Sequence, residues 1–592
     1  MRLIPAPKKV QLTGGKLCAS DFIAELGSFD TVQTRKALAD LKKDAKERIK
    51  DAGAAVLIAE KAEEMADCEE YSLIITEEKI VIKAGSARGV FYAIQTLRQI
   101  VISEEAFLCC EIYDKPDFSF RGLQNDTTRG RVPSLSGLKK TADFCALFKI
   151  NKMALYFEHS LAFSELEGVV TETETLSPDE LREFVSYCST LYIDVIPYVA
   201  MFGHQYRLLQ SDKYKHLCEL ENHVPVDHYW RERMLHHSID VSNPESFKLI
   251  KSYIDQLLEI FPYEIYIPGI DETMDLCKGK NKDINMIETY CAFTDRICGY
   301  LKEKGKTALI ADDVIQKHED GFLIKSDNII MYHWDYEKEP KESKFEKLKE
   351  KELPFISVPS TNSYNIFFEK IGMSKENIYN TINLAKKHKA KGIINTIWGD
   401  FGHWCDFNCT LYGIVMGAAK SWNTQTEFDE SFEKDFSLLV YEEKEENIKK
   451  IIATGSTLTY NSSIYWFVRW YGENLVRNEN TDFCLIEPET SPLEFARRAV
   501  EHKELIQKIG ARHPRKKEIF DSMAVSCGMI EALCHISNAL TTKKKLTDTE
   551  RALIEERMNE YHKVWLRDNK EGEFYINRAF VNDIIEYTEC NF

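Results

Sequence analysis

With 592 residues, 44% of them hydrophobic and 11% aromatic, the chain has too much core-forming material for a disordered protein and, at roughly 150 residues per domain, length for two to four domains. Its 95 acidic against 77 basic residues leave a net charge of −18, which argues against nucleic acid as a partner, because that affinity comes from neutralising phosphates with Lys and Arg. No apolar run reads as long enough to span a bilayer and the first residues lack the apolar core of a signal peptide, so no membrane partner and a cytoplasmic location are expected.

Residues 1–115 predict a small α/β domain. Tyr71–Thr76 and Lys79–Lys83 flank Glu77-Glu78 as a hairpin would, and Arg88–Ser103 carries Val90, Phe91, Ile94, Leu97 and Val101 at helical spacing. Its expected role is packing, without chemistry. Over 116–424 the rhythm becomes strand, loop, helix. Strands are expected at Phe118–Leu123, Lys152–Phe157, Ile193–Val199, Glu264–Gly269, Thr307–Ala311, Asn328–His333, Pro354–Val358 and Gly392–Trp398. Helices fall between most of them, for example over Ser136–Phe148, Ser177–Leu191, Pro244–Ile260 and Lys375–Lys389. Eight such strands alternating with helices predict a (β/α)8 TIM barrel rather than a doubly wound sheet. Over 425–592 the strand signal ends. Phe432–Val440, Glu446–Ala453, Leu493–Ile509, Lys517–Leu540 and Asp548–Leu566 predict an α-helical C-terminal domain, which either completes the pocket or builds a homodimer. The Trp466–Tyr471 aromatic cluster reads as core, and Lys338–Glu352 as a solvated helix.

The stretch Tyr263–Thr273 is the most informative. An apolar run of strand length reaches Gly269 and stops in the adjacent acids Asp271 and Glu272. An arbitrary Asp-Glu pair usually caps a helix or rests in water, but the buried groups of a barrel act where its strands end. The other predicted strands lead to Asp126 and Arg129, Glu158-His159, Gly203-His204, Asp312-Asp313, His333-Trp334-Asp335, Asn362 with Tyr364, and Trp398-Gly399-Asp400. Carboxylates and an arginine among tryptophans describe a sugar pocket, where apolar ring faces stack on aromatics and hydroxyls need fixed partners. A metal site is the competing reading; no H-x-H or H-E-x-x-H unit occurs, and His403 with Asp400 or His236 with His237 are the nearest approximations. The 16 cysteines lack a C-x-x-C pair and read as buried thiols in a reducing compartment. Side chains of neighbouring strand residues point apart, so Asp271 and Glu272 reach different parts of one substrate. Either two carboxylates flank the scissile bond, one as nucleophile, or the substrate's own 2-acetamido oxygen attacks while Asp271 orients it and Glu272 protonates the leaving oxygen.

From the N-terminus through about residue 422 these motifs resemble the glycoside hydrolase family 20 β-N-acetylhexosaminidases. Ile4–Pro7 and Gly89–Leu97 look like the family's non-catalytic N-terminal domain, and Phe120–Arg129 like its R-G-x-x-x-D-x-x-R opening of the barrel. Gly203-His204, Gly269-Ile270-Asp271-Glu272 and Trp398-Gly399-Asp400 are similar to its G-H, G-G-D-E and W-x-E motifs. The resemblance implies an exo-acting, retaining hydrolase of terminal β-linked N-acetylglucosamine or N-acetylgalactosamine on an oligosaccharide or glycoconjugate, without cofactor or metal. Glu272 would be the general acid/base and Asp271 the acetamido-polarising residue. Substrate would be held by Arg121, His204, Trp334, Tyr364, Trp398, Asp400 and His159. Three positions depart from the pattern: His159 and Ala200 stand where the family has aspartates, and Ile270 replaces a glycine and is expected to narrow the space beside the acids. A β-glycosidase of sugars without an acetamido group and a catalytically silent sugar-binding protein are the alternatives.

Overall fold

The computed structural model describes residues 1–50, 52–220, 237–318, 322–443, 451 and 491–592. The N-terminal domain is a six-stranded sheet in the order β1 (Lys9–Leu17), β6 (Phe107–Asp114), β4 (Tyr71–Ile75), β5 (Lys79–Ala84), β3 (Gly53–Lys61), β2 (Ala19–Glu25). The β4–β5 hairpin forms because Thr76 closes its turn, its hydroxyl accepting from the backbone of Glu78 and Lys79 at 3.3 and 3.1 Å. Ser86 caps the helix Ala87–Glu104 by accepting from Arg88 and Gly89. That helix is buried almost all round, between the sheet and the rest of the protein.

Eight parallel strands follow: β7 (Phe120–Asp126), β8 (Lys152–Phe157), β9 (Asp194–Ala200), β10 (Ile265–Gly269), β11 (Thr307–Ala311), β12 (Ile329–Trp334), β13 (Phe355–Val358) and β14 (Gly392–Ile397). They close into a barrel, β14 pairing back onto β7 with Thr396 opposite Gln124. Every expected strand is present within a few residues. The largest difference is β7, which runs on to Asp126 because both its neighbours continue to pair with it. Most of these strands are buried at every position, which is why they read as continuous apolar runs. The barrel interior holds Ala154, Ile196, Leu309 and Ile394 below, and Tyr156, Tyr198, Tyr332 and Trp398 toward the strand ends. Tyr156 and Tyr198 meet edge to face at 4.7 Å, so the floor of the mouth is a layer of aromatic rings.

Beyond the barrel lie the helices Pro492–Gly510, Lys517–Thr542 and Asp548–Asp568, near their expected positions, and Phe574–Asn591, which the sequence reading did not place. The stretch Pro514–Thr542 is long and apolar enough to cross a membrane by length and composition, contrary to expectation, with mean hydropathy 1.4; 78% of its apolar window is buried inside the protein, as the core of the helical domain. The expected helix over Glu446–Ala453, Ile451 apart, and the Trp466–Tyr471 cluster lie outside the described residues. Two domains thus meet the barrel at opposite ends. The N-terminal domain reaches the strand starts through Glu69 and Asp114, which pair with Arg121 and Lys149. The C-terminal helices reach the loops after the strands, where Glu573 meets Gly130.

Candidate active site

The site is assembled from the turns that follow the barrel strands. Asp126, the last residue of β7, accepts from the backbone of Thr128 and Arg129 with one oxygen (3.1 and 3.2 Å) and from Gly399 with the other (3.0 Å). One carboxylate therefore ties the loop after β7 to the loop after β14. Arg129 emerges from this turn between the rings of Tyr156 and Trp398, 5.0 and 5.2 Å from their centroids. Its guanidinium donates to Glu158 Oε1 (3.0 Å) and Asp400 Oδ1 (3.2 Å), and lies 3.2 Å from His204 Nδ1. The imidazole is thereby set with Nδ1 against the guanidinium and Nε2 facing the acids. That Nε2 is 3.5 Å from Asp271 Oδ2 and 3.6 Å from Glu272 Oε2. The Tyr198 hydroxyl donates to the other oxygen of Asp271 at 3.0 Å.

Burial alone would raise the pKa of Asp271, but the hydrogen bonds and charge of His204, with the Tyr198 hydroxyl, outweigh it and the net shift is downward. Asp400 moves the other way: burial, with Asp126 and Glu272 nearby, pushes it up to about 6 against the pull of Arg129. Asp313, whose carboxylate accepts from the Glu272 backbone at 3.4 Å, is pushed up to about 7 by burial and then by the charge of Asp271. The backbone is strained at the same places. His204, Glu272 and Asp400 are all left-handed, with φ of 57°, 48° and 47°, each costing about 1–3 kcal/mol in a residue with a Cβ. Such conformations persist where the surroundings over-determine them, and here they turn Glu272 and Asp400 to one cavity and set His204 behind the acids.

That cavity has a volume of about 700 Å³ counting its open mouth, and is lined by Arg129, Tyr198, Asp271, Glu272, Tyr332, Trp334, Tyr336, Tyr364, Trp398 and Asp400. The structure thus brings Asp271, Glu272, Trp334, Tyr364, Trp398 and Asp400 to one pocket, with His204 behind the acids. Two expected members are elsewhere. Arg121, the second residue of β7, is buried at the opposite end of the barrel, donating to Glu69 (2.6 Å), Phe118 O and Lys149 O; the arginine of the pocket is Arg129. His159 points away from the cavity to Glu573, at 3.0 Å. The acid expected at that position is supplied one residue earlier by Glu158, 3.8 Å from His204 Nδ1. Ile270 packs into the core around the barrel and does not line the pocket, so it leaves the space beside the acids open. The Ala200 carbonyl accepts from the Gln205 side chain.

Tyr198, Tyr332 and Tyr336 were not singled out as pocket residues. The signal for Tyr198 was present, since Ile196 and Tyr198 lie at period two and share the inward face of β9. Tyr336 accepts from Trp398 Nε1 at 2.7 Å and packs at 5.1 Å from Trp334, so it braces both tryptophans. His204, Asp271 and Glu272 also form the one group of three or more histidine, cysteine or acidic residues among the described residues whose ligand atoms all lie within 4.8 Å of one another. The guanidinium of Arg129 against that imidazole opposes a cation there.

Two models of glycosyl hydrolase family 20 match this chain: its domain 2 over residues 1–115 and its catalytic domain over 118–398. Among curated relatives, a β-hexosaminidase of Akkermansia muciniphila is 28% identical over 227 residues, 34% of this chain and 45% of the relative. The chain therefore spans about half the length of the curated relatives it matches. Among solved structures, a β-N-acetylhexosaminidase from Bacteroides fragilis superposes with a TM-score of 0.60 at 20% identity, over 74% of this chain and 95% of that one. A Flavobacterium johnsoniae chitobiase reaches 0.61 at 15% identity, over 98% of this chain and 99% of its own length, and so shares the fold.

Proposed function

The chain belongs to glycosyl hydrolase family 20, and from that premise we propose that it is an exo-acting β-N-acetylhexosaminidase, removing terminal β-linked N-acetylglucosamine or N-acetylgalactosamine from an oligosaccharide or glycoconjugate. The observation that carries the reading is the division between the two adjacent acids. Asp271 has its oxygens engaged by Tyr198 and His204 and a lowered pKa, while Glu272 is partly exposed at the cavity. A carboxylate of reduced basicity is a poor nucleophile toward an anomeric carbon, but a good partner for an amide N–H that gains positive charge. The substrate's acetamido oxygen then forms the bond to C1 as the bond to the leaving oxygen breaks, giving an oxazolinium-type intermediate. Glu272 gives its proton to the leaving oxygen, then takes one from the water that reopens the ring at C1, with net retention. Arg129 and Asp400 hold the sugar hydroxyls, and Trp334, Tyr336 and Trp398 wall its apolar faces. The free cysteines among the described residues support a reducing, cytoplasmic setting.

Glu272→Gln tests the assignment. On an N-acetylglucosaminide of an unactivated alcohol, kcat/KM falls by about 1,000-fold; the loss is smaller on a 4-nitrophenyl glycoside, whose leaving group needs no proton. Unchanged turnover with both substrates sinks the reading. Faster hydrolysis of an aryl β-galactoside or β-glucoside than of its N-acetyl counterpart favours the alternative of a glycosidase that needs no acetamido group.

A further inference from the structure

Three glycines in the left-handed region meet behind Arg129. Gly130 (φ 95°) follows it, Gly402 (φ 100°) lies two residues after Asp400, and Gly572 (φ 57°) precedes the helix Phe574–Asn591. A Cβ on Gly130 would stand 2.6 Å from the Gly402 carbonyl oxygen, and one on Gly572 3.0 Å from the Gly130 oxygen. Backbones from the β7 loop, the β14 loop and the C-terminal domain therefore touch directly, which side chains would prevent.

Glu573 sits in this seam with 0% exposure. One of its oxygens accepts from the Gly130 backbone at 3.0 Å, and its own N–H donates to the Gly130 carbonyl at 3.2 Å. Its other oxygen is 3.0 Å from His159 Nε2. Asn577, one turn on, donates to the Gly402 carbonyl at 2.9 Å. Just before Glu573 the segment is anchored by Lys570 N–H to Val132 O (2.8 Å) and Gly572 N–H to Thr173 O (3.0 Å). Each contact falls one or two residues from a member of the Arg129 network: Gly130 beside Arg129, His159 beside Glu158, Gly402 beside Asp400. A fully buried acid is a costly way to fill space, since burying a charge is unfavourable unless each oxygen is met. Its placement is explained by geometry it fixes.

We propose that Glu573, with His159 and Asn577, is a positioning device through which the C-terminal domain sets Arg129 and Asp400 for the sugar. It touches neither substrate nor the Asp271–Glu272 pair. The kinetic consequence rests on the hexosaminidase reading, and the structural one does not. Glu573→Ala raises KM for an aryl N-acetylglucosaminide about tenfold and leaves kcat within about threefold, because the grip on the sugar loosens while the acids stay placed. Glu573→Gln, which keeps an acceptor for the Gly130 N–H, restores KM to within about threefold. Ser522→Ala, a control that removes contacts to Arg567 and Asn408 at the same domain boundary, leaves KM unchanged. Amide hydrogen exchange supplies the readout that needs no turnover: Glu573→Ala speeds exchange in peptides covering 127–132 and 399–405 and leaves 265–274 as in the wild type. If Glu573→Ala does not fold, Asn577→Ala speeds exchange over 399–405 alone and raises KM about threefold. Unchanged exchange over these loops in the folded variants, or a wild-type KM in Glu573→Ala, overturns the proposal. A wild type without turnover overturns the hexosaminidase reading instead, and exchange then decides the positioning role.

Discussion

Strand β7 carries one arginine at its start and another just past its end, and the two are built alike. Arg121 lies over the rings of Trp422 and Tyr92, 4.7 and 5.6 Å from their centroids, and pairs with Glu69. Arg129 lies between Tyr156 and Trp398 and pairs with Glu158 and Asp400. Both are buried, stacked and charge-compensated. At the strand starts Glu69 alone answers Arg121 and the nearby Arg88, while the Phe118 and Lys149 carbonyls and the Tyr92 hydroxyl take the other Arg121 donors, so the contact welds the N-terminal domain to the barrel. At the strand ends Arg129 faces Glu158, Asp400 and Asp126 together, and burial, added to by the neighbouring carboxylates, raises Asp400. The same chemistry is a joint at one end and a reactive surface at the other. A parallel barrel separates stability from function by strand direction.

Matched substitutions test this separation. Arg129→Lys keeps the charge but loses the planar fork and the stacking, and lowers kcat/KM on an aryl N-acetylglucosaminide by about 100-fold, about 3 kcal/mol of transition-state stabilisation. Arg121→Lys changes kcat/KM by less than about threefold and instead lowers Tm, for a loss of about 2 kcal/mol at a buried pair; an equal loss of activity in the two variants breaks the comparison. Tyr198→Phe removes one hydrogen bond from Asp271 and reduces kcat about tenfold with KM nearly unchanged. The last test concerns stability, not activity, at the reactive end. Asp313 is an acid whose folded pKa is raised to about 7 from an ordinary 3.8. Near pH 3 folded and unfolded states are both protonated and nothing is lost. As pH rises toward 7 the unfolded chain ionises first, so folding stability falls, and the loss is complete above about pH 8. Asp313→Asn escapes it: Tm is a few degrees above wild type at pH 8 and equal to it near pH 3, read by thermal unfolding at the two pH values.

How legible each feature was in the sequence follows from its burial and its position along a strand. The eight barrel strands were readable because strands buried on both faces leave unbroken apolar runs. β1 was not, because Lys9–Leu17 is an edge strand exposed at all but one position, and its polar sequence resembles a loop. The helix Phe574–Asn591 buries Phe574, Phe580, Val581 and Ile584; that spacing was present, but the polar break Asn569–Gly572 before it obscured the start. Choosing Arg121 over Arg129 came from the motif, which holds both. The direction of a parallel strand decides between them, since a strand's second residue lies at the face opposite the site. His159 is a different failure. Beyond the end of β8 alternation no longer applies, and the local turn, not the strand period, sends Glu158 inward and His159 to Glu573.

The pairing of β14 with β7 has a consequence in time. Asp126 holds the N–H of Gly399, 273 residues further along the chain, and the pocket straddles that closure, with Arg129 on one side and Asp400 on the other. Contacts so distant in sequence form late, because the entropy of closing the intervening chain is lost before they contribute. The helices and the first strands gain their order earlier. Catalytic competence therefore marks the end of folding, and recovered activity lags recovered secondary structure when the denatured protein is returned to native conditions.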